Sequence, residues 1–278
     1  YQQEWQESNI PDLLIAANLN VFHGQDDGIP LIKNPEKIPR LNTGRITRPF
    51  DFKTRFLVDG GWYVQGFDSE GNRPLRYRIK PQSPRINEKD KPIKYESTWG
   101  EPSCPFYADI PLEWADKLIQ AEAERIFPNL AKANKFVKKW EKFKSNWEGH
   151  PNFAIWAFAK EEKILPIDTT EGEKKALSVI GQYRLCIGLS GIYNWSDPNA
   201  ETYYDKKGRE RKVKALHPEL KPFFEQTSKK DPRRESSILF DEDEKNTTQR
   251  EVDHQTTQFA KQLSKIGTTP YLVCWNPS

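Results

Sequence analysis

The 278-residue sequence predicts an α/β protein: a parallel sheet flanked by helices, preceded by a β-rich and helical N-terminal region. Three observations predict this. From about residue 150, short apolar strands alternate with helical periods, a succession that gives parallel strands joined by crossover helices. Across 111–147, apolar residues recur three or four apart, as on one face of a helix. Across 56–97, apolar alternation is broken by Gly and Pro, as in short strands joined by turns. The expected organisation is therefore an N-terminal β-rich region with a leading helix (1–110), a helical connector (111–149) and an α/β domain (150–278).

Taken in order, SNIPDLLIAANL reads as a short helix with Ser8 as N-cap and Pro11 in its first turn. Residues 28–49, rich in Pro, Asn and Gly, read as irregular loop. Ser69–Asn72 reads as a turn, with strand-like Leu75–Ile79 and Ile93–Tyr95 beyond it. A helix carries Leu112, Ala115, Leu118, Ile119 and Ala123, and a second runs from Leu130 to Trp147. The second interleaves Phe136, Val137, Trp140 and Phe143 with Lys132, Lys135, Lys138, Lys139, Lys142 and Lys144. Its aromatic face suits a core, and its Lys face is either solvated or in contact with phosphates. A helix over Asn152–Lys160 then precedes a strand over Ile164–Asp168. A helix over Glu173–Gly181 leads to a strand over Leu185–Leu189, which ends in Ser190-Gly191. A polar excursion (Asp197–Glu235) holds an inserted hairpin turning at Lys207-Gly208. Strand Ser237–Phe240, a helix from about Thr248 to Ile266 and strand Pro270–Trp275 close the chain. There is no internal repeat.

Composition narrows the function classes. Hydrophobic residues make up 36% and mean hydropathy is −0.85, which implies a wet surface and long polar connections. Disorder is excluded by the 12% aromatic content, because chains that cannot bury apolar area lack such residues. No apolar stretch approaches the roughly 20 residues of a membrane span. Cys104, Cys186 and Cys274 lie far apart with no CxxC pair, which argues against a disulfide framework or a cysteine-rich zinc site and points to a reducing cytoplasm. The His residues lack HExxH spacing. Net charge is only +3, but basic runs and acidic clusters alternate along the chain. The chain starts at Tyr1 without Met and stops abruptly, which suggests a piece of a longer protein.

Chemistry concentrates after two predicted strands, and open α/β sheets form their sites at carboxyl strand ends. The first cluster is Glu171-Gly172-Glu173-Lys174-Lys175. The second is Asp241-Glu242-Asp243-Glu244-Lys245, where alternation in an extended segment lets Asp241 and Asp243 converge. Three carboxylates (Glu171, Asp241, Asp243) at one point repel unless a hard cation such as Mg²⁺ joins them, which suggests phosphoryl transfer or phosphodiester cleavage. Either cluster alone would equally suit a solvated loop. Their order, each after an apolar strand, makes the stronger signal. Glu173, on the starting helix, is expected to be exposed and functionally silent. Basic residues interleaved with aromatics give nucleic-acid candidates at Arg76, Arg78 and Lys80, at Arg209, Arg211 and Lys212, and on the Lys-bearing helix.

The motifs TEGEKKA, IGLSGIYNW, LHPELKPFF, ILFDEDEKNTT and YLVCW together resemble a Toprim-like domain. More narrowly, they resemble the DUF3854 domain of cyanobacterial plasmid replication proteins and of phage or mobile-element primase–helicases. GGWYVQGFD, RIKPQSPRI and KPIKYES resemble the region preceding that core, so the likeness runs from about Trp5 to Trp275. It implies that Glu171 is a general acid/base or metal-organising group and that Asp241 and Asp243 hold Mg²⁺ or Mn²⁺. It also implies that Lys174 and Lys175 grip a phosphate at the helix start, and that Lys245 and Thr248 serve phosphate or supporting roles. Ser190-Gly191 matches the turn after the second strand and suits simple packing equally. The family usually continues into a Gly-Lys/Asp-Asp segment that this chain lacks.

The implied function is primase-type nucleotidyl transfer on a DNA template, single-stranded by expectation, with nucleotides as substrates and a helicase region or protein as partner. A non-catalytic DNA-binding replication initiator and a metal-dependent nuclease are the alternatives. The carboxylate set serves transfer and hydrolysis equally.

Overall fold

A computed structural model describes residues 1–228, 232–241 and 246–273, with the backbone alone at Asn246 and Thr247. The chain opens with α1 (Gln2–Gln6) and α2 (Asp12–Asn18). Ser8 does not cap α2. Its hydroxyl donates back to the Glu4 carbonyl (3.2 Å), and extended Pro11 is the N-cap. Strand β1 (Asn20–Phe22) follows.

The segment expected to be irregular over 28–49 holds helix: α3 (Gln25–Ile32) contains Gly28 and Pro30, and α4 (Arg48–Lys53) has Pro49 in its first turn. Gly28 is a packing residue here, since a Cβ would sit 3.0 Å from Phe22 and 3.1 Å from Leu57. Strands β2 (Gly61–Val64), β3 (Arg78–Pro81) and β4 (Glu96–Ser97) join β1 in an antiparallel sheet of order β1-β2-β3-β4. The turn at Ser69–Asn72 forms, because the Asp68 carboxylate accepts the N–H groups of Glu70 (2.8 Å) and Asn72 (2.9 Å). The expected strand at Leu75 instead begins at Arg78, and the one at Ile93 begins at Glu96.

Helices α5 (Leu112–Ile126) and α6 (Leu130–Ser145) pack together. The aromatic face of α6 is core: Phe136 and Trp140 are buried, and Trp140 Nε1 donates to Asp116 (2.7 Å). Lys144 pairs with Asp116 and Lys139 with Glu162, so part of the Lys face has acidic partners within the fold.

Glu122, on α5, is buried 3.1 Å from Arg125. Burial pushes its carboxyl up to about 7, against the pull of Arg125 and Arg184. A folded carboxyl that keeps its proton above the unfolded value stabilises most at low pH, and that contribution is lost as pH climbs from about 4.5 to 7. The loss is on the order of 3 kcal/mol. Glu122→Gln should accordingly raise stability at pH 8 by up to about 3 kcal/mol and change little at pH 4. Urea unfolding at both pH values checks this; equal effects at the two would rule it out.

The second half builds α7 (Ala154–Glu161), β5 (Asp168–Glu171), α8 (Glu173–Gly181), β6 (Cys186–Leu189) and an exposed hairpin, β7 (Thr202–Tyr204) with β8 (Glu210–Lys212). Then come α9 (Lys221–Phe224), β9 (Glu235–Leu239), α10 (Asn246–Lys265) and β10 (Thr269–Leu272). The sheet has order β10-β9-β5-β6 and is parallel throughout, with helices against it, as the alternation predicts. The polar excursion is not all surface beyond the hairpin, since Leu216, Leu220, Phe223 and Phe224 are buried.

The strand expected at Ile164–Asp168 is displaced to Asp168–Glu171. Leu165 and Ile167 do enter the core, but Pro166 lacks an N–H and ladder bonds begin at Ile167 and Asp168. Two polar residues of β5 are buried with partners: Asp168 accepts from Arg184 (2.6 and 2.9 Å), and Thr170 donates to the Leu239 carbonyl (2.8 Å).

The two sheets are linked by main chain. Phe106 bonds reciprocally with Gly188 on the free edge of β6 (2.8 and 3.2 Å), and neighbouring Tyr107 bridges Phe67 beyond β2. A single apolar cluster runs from Trp5 on α1 through Trp140 on α6 to Leu263 on α10, with a smaller one beneath the N-terminal sheet. Among the described residues, no helix is long and apolar enough to cross a membrane.

Candidate functional site

Two neighbouring parallel strands end side by side with carboxylates. Strand β5 runs on past Asp168, where the expected strand ends, and finishes at Glu171. Strand β9 ends at Leu239, and buried Phe240 and exposed Asp241 follow it. Gly172 makes the turn into α8 with φ +88°, a conformation that L side chains rarely adopt, and the space where its Cβ would stand is open. Gly188 lets α8 start close against β6, since a Cβ there would meet the Gly172 carbonyl at 3.2 Å and Glu173 Cα at 3.3 Å.

Glu171 is half-buried. Burial raises its carboxyl above the ordinary range, Asp241 and Glu173 add to that, and Lys175 and Arg78 oppose it. Lys175 forms an ion pair with Asp241, and its charge also acts on Glu171. Lys174 turns elsewhere: it donates to Glu4 of α1 (3.2 Å), which also receives Lys80 (2.7 Å) and Trp62 Nε1 (3.3 Å).

Glu173 departs from its expected exposure. It is 9% exposed, the Ser190 hydroxyl donates to it at 2.6 Å, and Arg78 Nε lies 3.9 Å from its second oxygen. The cause is tertiary. The edge of β6 and strand β3 close over the first turn of α8, which an isolated helix would expose. Arg78 also donates to Ser97 (3.0 Å) and lies over the Tyr95 ring (5.1 Å).

The site thus gathers Glu171, Asp241, Lys175, Glu173, Ser190 and Arg78. Asp243 and Lys245 lie outside the described residues, and among the described residues no group of three His, Cys, Asp or Glu side chains could hold a metal ion. Of the other basic candidates, Arg76 is paired with Glu219 (3.0 Å). On the hairpin, Arg209 and Arg211 pair with Asp205 (2.9 and 3.2 Å), and Lys212 donates to the Pro198 carbonyl (2.8 Å). The pairing of Glu173 with Ser190 had no local signal, because the partners come from different elements.

Fold and strand-end site together define a parallel α/β module with an antiparallel sheet joined to its edge. Within it, residues 155–278 match the family described as Domain of unknown function (DUF3854). Over 280 aligned residues the chain is 28% identical to an uncharacterized protein of Picosynechococcus sp. (strain PCC 7002), covering 99% of this chain and 25% of that protein. The chain therefore spans about a quarter of the length of the relative it matches. No solved structure matches it.

Proposed function

We propose that this chain is the Toprim-like, Mg²⁺- or Mn²⁺-dependent part of a plasmid or phage replication protein, and that it carries out primase-type nucleotidyl transfer on single-stranded DNA. The observation that carries the reading is the meeting of Glu171 and Asp241 at the carboxyl ends of adjacent parallel strands, beside the opening at Gly172. Open α/β sheets bind phosphorylated ligands at that place. Two carboxylates balanced by one lysine are a hard-oxygen donor set, which suits a hard cation. Glu171 and Asp241, with Asp243, would hold that ion, whose charge offsets the negative charge of reacting phosphates. Glu171, whose carboxyl burial raises above the ordinary carboxylate range, is suited to take the proton of an attacking 3′-hydroxyl.

The test is incubation with single-stranded DNA, all four rNTPs or dNTPs, and Mg²⁺ or Mn²⁺. New oligonucleotides support transfer. Shortened DNA would replace it with a nuclease, and binding without either product would leave a non-catalytic initiator module. Asp241→Asn or Asp243→Asn should weaken Mn²⁺ binding measured by calorimetry with little change in fold stability, since the exposed Lys175–Asp241 pair is worth about 0–1 kcal/mol. Unchanged affinity in both would remove the metal reading.

The hairpin supplies a means of holding the template. Tyr203 and Tyr204 are exposed beside Arg209, Arg211 and Lys212, a combination that suits base stacking and phosphate contact. Asp205 organises it: its carboxyl is held down to about 2, first by the Arg209 backbone N–H and then by the Arg209 and Arg211 side chains. Arg209→Ala with Arg211→Ala should flatten the salt dependence of DNA binding by roughly one counterion per residue. An unaltered slope would mean that the hairpin does not touch DNA.

A further inference from the structure

Helix α6 lays one side against the core and turns a row of lysines outward. Ala133, Phe136 and Trp140 are buried, while Lys132, Lys135, Lys138 and Lys142 are exposed. Steps of three, three and four residues keep these four on one face, in a row about 15 Å long at about 1.5 Å of rise per residue. The acids that reach the helix are taken by its other two lysines. Lys139 pairs with Glu162, which follows α7, and Lys144 pairs with Asp116 of α5 and with Glu141, the one acid of α6 itself. Lys132, Lys135, Lys138 and Lys142 form no ion pair among the described residues.

We propose that this lysine row binds the phosphate backbone of double-stranded nucleic acid without reading its sequence. Like charges three and four apart on a helix repel, so the row is unfavourable to the isolated fold and becomes favourable once a polyanion lies along it. A duplex carries one charge per about 1.7 Å of its axis, a dense and straight line of charge that a straight row of cations complements. Lysine is a flexible point charge without the planar fork that matches a base edge, so it suits contact with the backbone.

Other partners with negative charge fit less well. A single strand is held by rings on which its bases stack, and Phe136 and Trp140 of α6 face the core. An anionic membrane takes up an amphipathic helix by its apolar side, which in α6 is already packed. A protein interface is poor in Lys and is centred on apolar or aromatic anchors, which this row does not offer. The row is also distinct from the β7–β8 hairpin, whose exposed Tyr203 and Tyr204 suit a single strand. That a template with a duplex stretch would engage both rests on the nucleotidyl-transfer reading; duplex binding by α6 does not.

The experiment measures binding of the whole chain to two short duplexes of unrelated sequence, to an oligo-dT strand and to phosphatidylserine vesicles, across a series of salt concentrations. It compares wild type with a variant carrying Lys132→Gln, Lys135→Gln, Lys138→Gln and Lys142→Gln, and with one carrying Arg at the same four positions. The two duplexes should bind alike. The Gln variant should flatten the slope of log K against log salt for the duplexes by about three to four, near one counterion per lysine. The Arg variant keeps the charges and should keep the slope. Gln, Lys and Arg are similar helix formers, and circular dichroism of both variants shows that a lost slope is a lost charge and not a lost fold. A duplex slope unchanged by the Gln variant overturns the proposal, as does a strong preference for one duplex, or binding to oligo-dT or vesicles without binding to duplex. An unchanged slope would leave the transfer reading standing. A slope lost in the Gln variant of a chain that makes no oligonucleotide product would uphold the lysine row while ending the transfer reading.

Discussion

Glu171→Gln is expected to abolish product formation while DNA affinity stays within a few-fold. A group that holds a proton or organises the reacting phosphate is needed in the transition state more than for binding, so its loss falls on turnover, by roughly 10²–10⁴-fold. Gln keeps the size of the side chain at the end of β5, so the Gly172 turn and the start of α8 should be undisturbed. Glu173 is not a suitable silent control, because it is buried against Ser190 and faces Arg78. Glu113→Gln, on an exposed residue of α5 paired with Lys117 of its own helix, serves instead. The measurement is product formation beside DNA binding, in a chain long enough to be active. Full activity in Glu171→Gln would remove the catalytic reading and put the DNA-binding module in front.

The parts of this fold that follow from local periodicity were legible in the sequence. The α8 boundaries, Glu173 to Gly181, follow from a Gly before the helix and apolar residues at helical spacing, and the Lys207-Gly208 turn follows from turn chemistry. The parallel sheet follows from alternation alone. What escaped depends on partners distant in sequence. Thr169-Thr170 lies beyond the strand expected to end at Asp168, yet it belongs to buried β5, where Arg184 neutralises Asp168 and the Leu239 carbonyl receives Thr170. Gly28 and Pro30 signal irregular chain, yet they sit in α3, where the absence of a Cβ admits Phe22 and Leu57. The site divides the same way. Glu171 and Asp241 were visible as residues that end strands. The pairing of Glu173 with Ser190 was not, because its partners come from α8 and from the turn after β6.

Arg234→Ala should destabilise the fold by about 3–5 kcal/mol, the range for stripping a buried charge–dipole network. In sequence, Arg233-Arg234 belongs to a polar excursion and reads as surface. In the structure Arg234 is 2% exposed at the entry to β9. Its guanidinium donates to the carbonyls of Leu165 and Ala159, and to that of Glu162 at 3.4 Å. Ala159 and Glu162 lie at the C-terminal end of α7, where unpaired carbonyls concentrate partial negative charge. One side chain therefore closes a helix end, anchors the approach to β5 through Leu165, and sets the start of β9. Truncation leaves a cavity and buried carbonyls without donors, each of the latter costing on the order of 1–3 kcal/mol. Arg234→Met refills the volume but supplies no donor, so it should recover only the packing part and remain well below wild type. Chemical unfolding of the three proteins separates the contributions. If Met restored wild-type stability, the carbonyl contacts would contribute nothing and Arg234 would act as packing alone. If instead Arg234→Lys recovered more than Met, the cation at the end of α7 would be the dominant part, because Lys restores charge without the planar fork that reaches several carbonyls at once.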